Sequence, residues 1–349
     1  MTEEESAAAR GTDGRVDVPT PEPREQGWRG PVLAALLLLV LPSTPLLRIV
    51  VPVDQTLLLL APALAACAVA GWRAGGRFQL ALFWTLFAVW IVWQPGELAG
   101  AFELLSRGWA VMVAATFAAI VIAGHGDRFL PRALLALAVA GTLGTLMVLV
   151  ASGGFDGARQ ILVDEVARRA AVSTAQWQEM TNTPEWEQFV GQSPNAVTLA
   201  EGVDRQLVAL PIIARVLFPA LLALESLAAL ALAWALYHRV GRARLGPALA
   251  RLREFRFDDA LIWGVIAGLL CVVLQSAGPV MVTGANLLLF LGALYALRGL
   301  GVLMSILAPG RWMMVAYVIF TILFWHVVGV IAVAVGLGDT WFDWRRRLR

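Results

Sequence analysis

The chain has 349 residues, of which 59% are hydrophobic and only 15% charged, with a mean hydropathy of +0.73. Soluble domains run at about 25% charged and 45–50% apolar, so a soluble enzyme is excluded. Cys67 and Cys271 both lie in long apolar runs, which excludes a disulfide-built secreted domain, and a net charge of +2 implies no nucleic-acid partner.

The first thirty residues carry seven acids, four arginines and a proline-rich run (Pro19, Pro21, Pro23). With so little to bury, residues 1–30 are expected to be a disordered tail. They lack the basic start and apolar run of a signal peptide, so insertion is expected through the first membrane helix with the tail retained. Nine apolar segments follow, at 31–51, 56–72, 78–93, 108–124, 133–151, 207–237, 260–282, 285–308 and 311–337. Each approaches the roughly 20 apolar residues that cross a bilayer, and together they predict an all-α polytopic membrane helix bundle. Pro42 and Pro45 are expected to kink the first. Trp28, Trp72, Trp93, Trp109, Trp263, Trp312 and Trp341 sit near segment ends and read as interfacial anchors.

Arginines set the orientation. Arg24, Arg29, Arg73, Arg77, Arg128 and Arg132 fall on one side, with the dense run Arg239, Arg242, Arg244, Arg251, Arg253 and Arg256. That side is cytoplasmic if the protein lies in a bacterial inner membrane with its N-terminus inside. Nine crossings then put the basic C-terminal tail, 338–349, outside, against the rule. Residues 153–206 hold eight acids against four arginines and are too polar for lipid. Within them Phe155, Leu162, Val166, Ala170, Trp177 and Met180 recur at helical spacing, with Asp164, Arg168 and Glu179 elsewhere on the wheel, which predicts an amphipathic helix lying on the membrane surface or capping the bundle, either as a packed periplasmic helix or as a ligand lid. The chain thus divides into the tail, a six-helix module 31–237 with the insert 153–206, an arginine-rich loop 238–260, a three-helix module 261–337 and the C-terminal tail.

Ionisable groups in lipid face protein or water and are the first candidates for function. Glu225, Arg298 and His326 lie near the middle of their segments. Arg215 is ten residues from Glu225 on one helix, about 15 Å of rise, too far to pair. Glu225 and Arg298 are therefore expected to meet in the bundle, with His326 nearby, either as a structural ion pair or as a solute or proton site. Ala115, Ala119 and Ala123, and Ala136, Ala140 and Gly144, allow close helix packing. Gly336-Leu337-Gly338-Asp339 spells a signature of intramembrane aspartyl proteases, whose chemistry needs a second carboxylate at the site. No other Asp lies inside an apolar segment. The three histidines are scattered and there is no lysine for a phosphate loop, so no metal, cofactor or ATP hydrolysis is expected.

The helix opened by Asn286, reading Leu-Tyr-Ala-Leu-Arg-Gly-Leu-Gly-Val-Leu over 294–303, and the ending Gly-Leu-Gly-Asp-Thr-Trp-Phe-Asp-Trp-Arg over 336–345 resemble the YybS-like family of bacterial multi-pass membrane proteins. Asp339, Trp341, Phe342, Asp343 and Arg345 carry the likeness; Arg298 stands where that family tends to have Gln. The family is distantly similar to substrate-binding components of energy-coupling-factor transporters. That similarity implies partnership with a coupling protein and an ATPase, though the Ala-x-x-x-Ala docking repeat is missing from the first segment.

Two functions stay open. One is a transport-related, non-enzymatic component binding a small ligand near Glu225, Arg298, His326 or Asn286. The other is a non-transporting scaffold recruiting partners through 239–256 or the surface insert. An intramembrane aspartyl protease is a distant third.

Overall fold

The computed structural model describes residues 28–40, 49, 52–94, 100–124, 128–150, 153–192, 194–274, 278–307, 310, 313, 317, 320–321 and 324–344. The expected tail disorder, the kink at Pro42 and Pro45, and Arg345 fall outside these residues. The helices are α1 (Arg29–Val40), α2 (Val53–Arg73), α3 (Phe78–Trp93), α4 (Ala101–Ala123), α5 (Phe129–Val150), α6 (Gly154–Thr181), α7 (Pro184–Gln192), α8 (Pro194–Val240), α9 (Ile262–Val273), α10 (Gly278–Leu307) and α11 (Trp325–Phe342). Among the described residues there is no strand, and the fold is an all-α membrane-type bundle.

Among the described residues, five helices are long and apolar enough to cross a bilayer: α2, α4, α5, α8 and α10. Three shorter apolar ones are α3, α9 and α11. Segments expected at 260–282 and 285–308 divide differently, because α9 stops at Val273 and α10 already begins at Gly278. Helix α2 is the central post. Its Ala61, Ala63, Ala66, Ala68 and Ala70 are buried, and small side chains let α3, α4 and α8 close around it. The aromatic core beside it joins Phe117 of α4, Phe129 of α5 and Trp234 of α8. Ala136 and Ala140 of α5 are buried, with Thr116 of α4 donating to the Ala136 carbonyl, while Ala115, Ala119 and Ala123 face outward.

Helix α8 runs for 47 residues, about 70 Å at 1.5 Å per residue against a hydrocarbon core of about 30 Å. Its polar first turns therefore project beyond the bilayer, and α6 docks along them. Val166 and Trp177 of α6 bury against Leu207 and Ala214, and the Trp177 indole donates to Asp204 at 2.8 Å. At the other end of α8, residues 241–258 fold back on the bundle. Their carbonyls are taken up: Arg132 donates to Leu245 at 2.9 Å, Trp234 donates to Pro247 at 3.2 Å, and the His238 ring lies 3.2 Å from the Gly246 carbonyl.

Helices α10 and α11 cross at Gly299 and Gly336. A Cβ on Gly299 would lie 1.8 Å from the Ala332 carbonyl oxygen, and one on Gly336 would lie 1.9 Å from that of Tyr295. Only glycine permits so close a crossing.

Candidate functional site

Two buried polar clusters hold the charged residues singled out above. In the first, Glu225 of α8 accepts from Gln55 Nε2 at 2.5 Å and from Thr56 Oγ1 at 2.9 Å, both in the first turn of α2. The other end of the Gln55 amide accepts from Arg169 Nη2 at 2.9 Å. Arg169, on α6, also bonds Glu165 at 2.7 Å, and its guanidinium lies 5.0 Å from the Phe102 ring. Arg168 donates to both Glu165 oxygens, from Nε to Oε2 and from Nη2 to the Oε1 that Arg169 also engages. Burial pushes the Glu165 carboxyl up, but the hydrogen bonds and charges of Arg168 and Arg169 outweigh it and hold it below the usual carboxylate value.

Of the apolar stripe expected to face inward, Val166 and Trp177 are buried, whereas Phe155 and Met180 at its ends are 56% and 47% exposed. The buried face also includes Glu165, Arg169 and Ser173, spaced by four, so the helix presents charged and polar groups to the bundle beside its apolar ones. Gln55, Arg169 and Ser173 were not anticipated; that four-residue spacing was the available signal.

In the second cluster, Arg298 of α10 donates from Nε to Asp339 Oδ2 at 2.9 Å and from Nη1 to Asp259 Oδ1 at 2.6 Å, with the Phe257 ring 5.4 Å away. Asp339 and Arg298 are 1% and 3% exposed. Glu225 and Arg298 thus do not pair. Glu225 stands level with the start of α2, whereas Arg298 lies beside the segment that follows the arginine-rich loop, and each has nearer partners. His326 is exposed on α11. Asp339 is a buried ion-pair partner, and Asp259, from the turn before α9, is the second aspartate on the same arginine.

Asn286 of α10 serves α8. Its Oδ1 accepts from the Ala220 amide at 2.9 Å and its Nδ2 donates to the Val216 carbonyl at 2.8 Å, the two groups an uninterrupted helix joins to each other. The amide sits beside Pro219, where the helix already lacks one donor. Of the C-terminal motif, Trp341 and Phe342 are exposed, Phe342 stacks on Trp344, and Asp343 pairs with Arg256. That pair places Asp343 beside the arginine-rich loop. The Trp109 indole donates to Ser226 at 3.0 Å.

A family profile for predicted membrane proteins, DUF2232, matches residues 100–340. The chain belongs to the DUF2232 family. No curated protein and no solved structure matches it. The DUF2232 region contains α6, α8 and α10 with Glu165, Arg169, Glu225, Arg298 and Asp339, while Gln55 and Thr56 precede it.

Proposed function

We propose that this DUF2232 protein is a non-enzymatic, transport-related membrane component that holds a small solute beneath α6, against the Glu225–Gln55–Arg169 relay. The observation that carries this reading is the inward face of α6. A helix docked only for packing turns apolar residues to its neighbours, whereas α6 buries Glu165, Arg169 and Ser173 beside the apolar Val166 and Trp177. Arg169 Nη1 and Ser173 Oγ, one turn apart, end there without a hydrogen-bond partner. Buried donors left unpaired cost about 1–3 kcal/mol each, and a bound polar solute would satisfy both. Being outside the span candidates, α6 can lift from the bundle without dragging a transmembrane helix. The likeness to YybS-like proteins, and at a distance to energy-coupling-factor substrate-binding components, supports the same reading. The arginine-rich end is then the cytoplasmic face of a bacterial inner membrane.

A scaffold role is the second reading, favoured by the folded-back 241–258 segment, which leaves Arg242, Arg244, Arg251 and Arg253 exposed. The protease reading lacks a dyad: Asp259 and Asp339 engage different nitrogens of one guanidinium, whereas catalysis needs two carboxyls sharing a proton.

Affinity purification of the mildly solubilised protein from its own host, read by mass spectrometry, tests the choice. Recovery of a membrane coupling protein with an ATPase supports the transport reading; recovery of cytoplasmic or envelope proteins alone supports the scaffold.

A further inference from the structure

At the arginine-rich end, an apolar crevice of about 220 Å³ opens between Leu64 of α2, Leu80 and Trp84 of α3, and Leu236, Tyr237 and Val240 of α8. Tyr237 fixes one wall. Its hydroxyl donates to the Ala243 carbonyl at 3.0 Å, and its ring lies so close to α2 that a Cβ on Gly71 would sit 1.7 Å from the hydroxyl oxygen. The α2–α3 turn and the turn after α8 are thereby held together, with Gly76 against Ala243. Arg73 and Arg77 flank the first turn and Arg242 lies in the second, all exposed. None of the three makes a hydrogen bond or ion pair among the described residues. No Asp or Glu occurs in 55–96 or 226–253 to neutralise them.

An apolar slot under a basic rim that has no ion-pair partner among the described residues fits a molecule with a hydrocarbon tail and an anionic head. We propose that the crevice takes one acyl chain of an anionic phospholipid whose phosphate is held by Arg73, Arg77 and Arg242. A guanidinium fork matches a phosphate with two parallel hydrogen bonds. The rim is preorganised, because both turns are pinned by Tyr237 before any lipid arrives. Each arginine at a membrane surface favours anionic lipid on the order of fivefold. This site stands at the opposite end of α2 from the α6 cluster and does not depend on the solute reading.

The test is native mass spectrometry of the full chain released from phosphatidylcholine discs with and without phosphatidylglycerol. One phosphatidylglycerol per chain is expected to be retained, preferred over phosphatidylcholine on the order of tenfold or more. Replacing the three exposed arginines (R73Q, R77Q, R242Q) is expected to abolish the preference while leaving the melting temperature in pure phosphatidylcholine unchanged. Leu80→Phe, which narrows the slot, is expected to lower retention of either lipid. Equal retention of both lipids by the wild-type chain overturns the proposal, as does an unchanged preference in the triple variant. Displacement of the lipid by inorganic phosphate also overturns it, since a free-anion site needs no acyl chain. Should Leu80→Phe not fold, Leu236→Phe narrows the same slot, and the arginine variant decides the headgroup question by itself.

Discussion

Arg169 and Glu225 lie on packed helices, yet no hydrogen bond joins them: the Gln55 amide stands between, accepting from one and donating to the other. The surface helix α6 is thus wired to the Glu225 carboxyl through a third helix. Removing the middle group strands a guanidinium and a carboxyl in a buried site. Gln55→Leu is expected to destabilise by about 3–5 kcal/mol, the cost of breaking a buried charged network. In a double-mutant cycle, Arg169→Gln and Glu225→Gln should couple by about 0.5–3 kcal/mol in the native background and by almost nothing once Gln55 is Leu. Denaturant unfolding in detergent measures both; coupling that survives Gln55→Leu contradicts the relay.

The two polar clusters share no side chain. Glu225→Gln and Arg298→Gln are therefore expected to add within about 0.5 kcal/mol. Arg298→Gln and Asp339→Asn, in direct contact, should depart clearly from additivity in the same assay.

The apolar runs announced the bundle and singled out Glu225 and Arg298 as buried charges, because a charge in lipid stands out against its neighbours. Asp339 was visible as a motif residue but not as the partner of Arg298, and the other members of the two clusters were hidden, since they come from polar stretches whose depth no periodicity reports: Gln55 opens a helix, Asp259 precedes one, and Arg169 lies in the polar insert. The rotation of helix α6 was legible in its middle, where Val166 and Trp177 face in, and not at its ends, where Phe155 and Met180 stay exposed. Amphipathicity does not report that Glu165, Arg169 and Ser173 share the covered face, because their pairing depends on residues from other helices. The bonds of Asn286 to Val216 and Ala220 likewise show only once those residues are placed beside it.

Glu165 predicts a pH response. Its carboxyl is held below the unfolded value of about 4.3, so the docking it stabilises is fully present above that value. That contribution is lost as pH falls through the lower folded value. Protection of the amides along 160–177 against hydrogen exchange, taken relative to the intrinsic rate at each pH, is expected to be high at neutral pH and to fall as pH drops below about 4. In Glu165→Gln the stretch should exchange faster at neutral pH and lose most of this pH dependence.

The α10–α11 crossing predicts a size limit. Gly299→Ala places a methyl group 1.8 Å from the Ala332 carbonyl oxygen, whereas Gly292→Ala meets nothing within 4 Å. The first is expected to cost about 1–3 kcal/mol and the second to be neutral or slightly stabilising, read as shifts in the melting temperature.

The most direct test of a solute site under α6 is to denature the purified protein and identify the small molecules it releases by mass spectrometry. The wild-type chain should release one compound in near-equal proportion to protein. Arg169→Gln and Ser173→Ala, which alter the two unpartnered donors, should each release much less while remaining folded. An empty wild-type protein, or identical release from all three, would contradict a solute held by this face of α6.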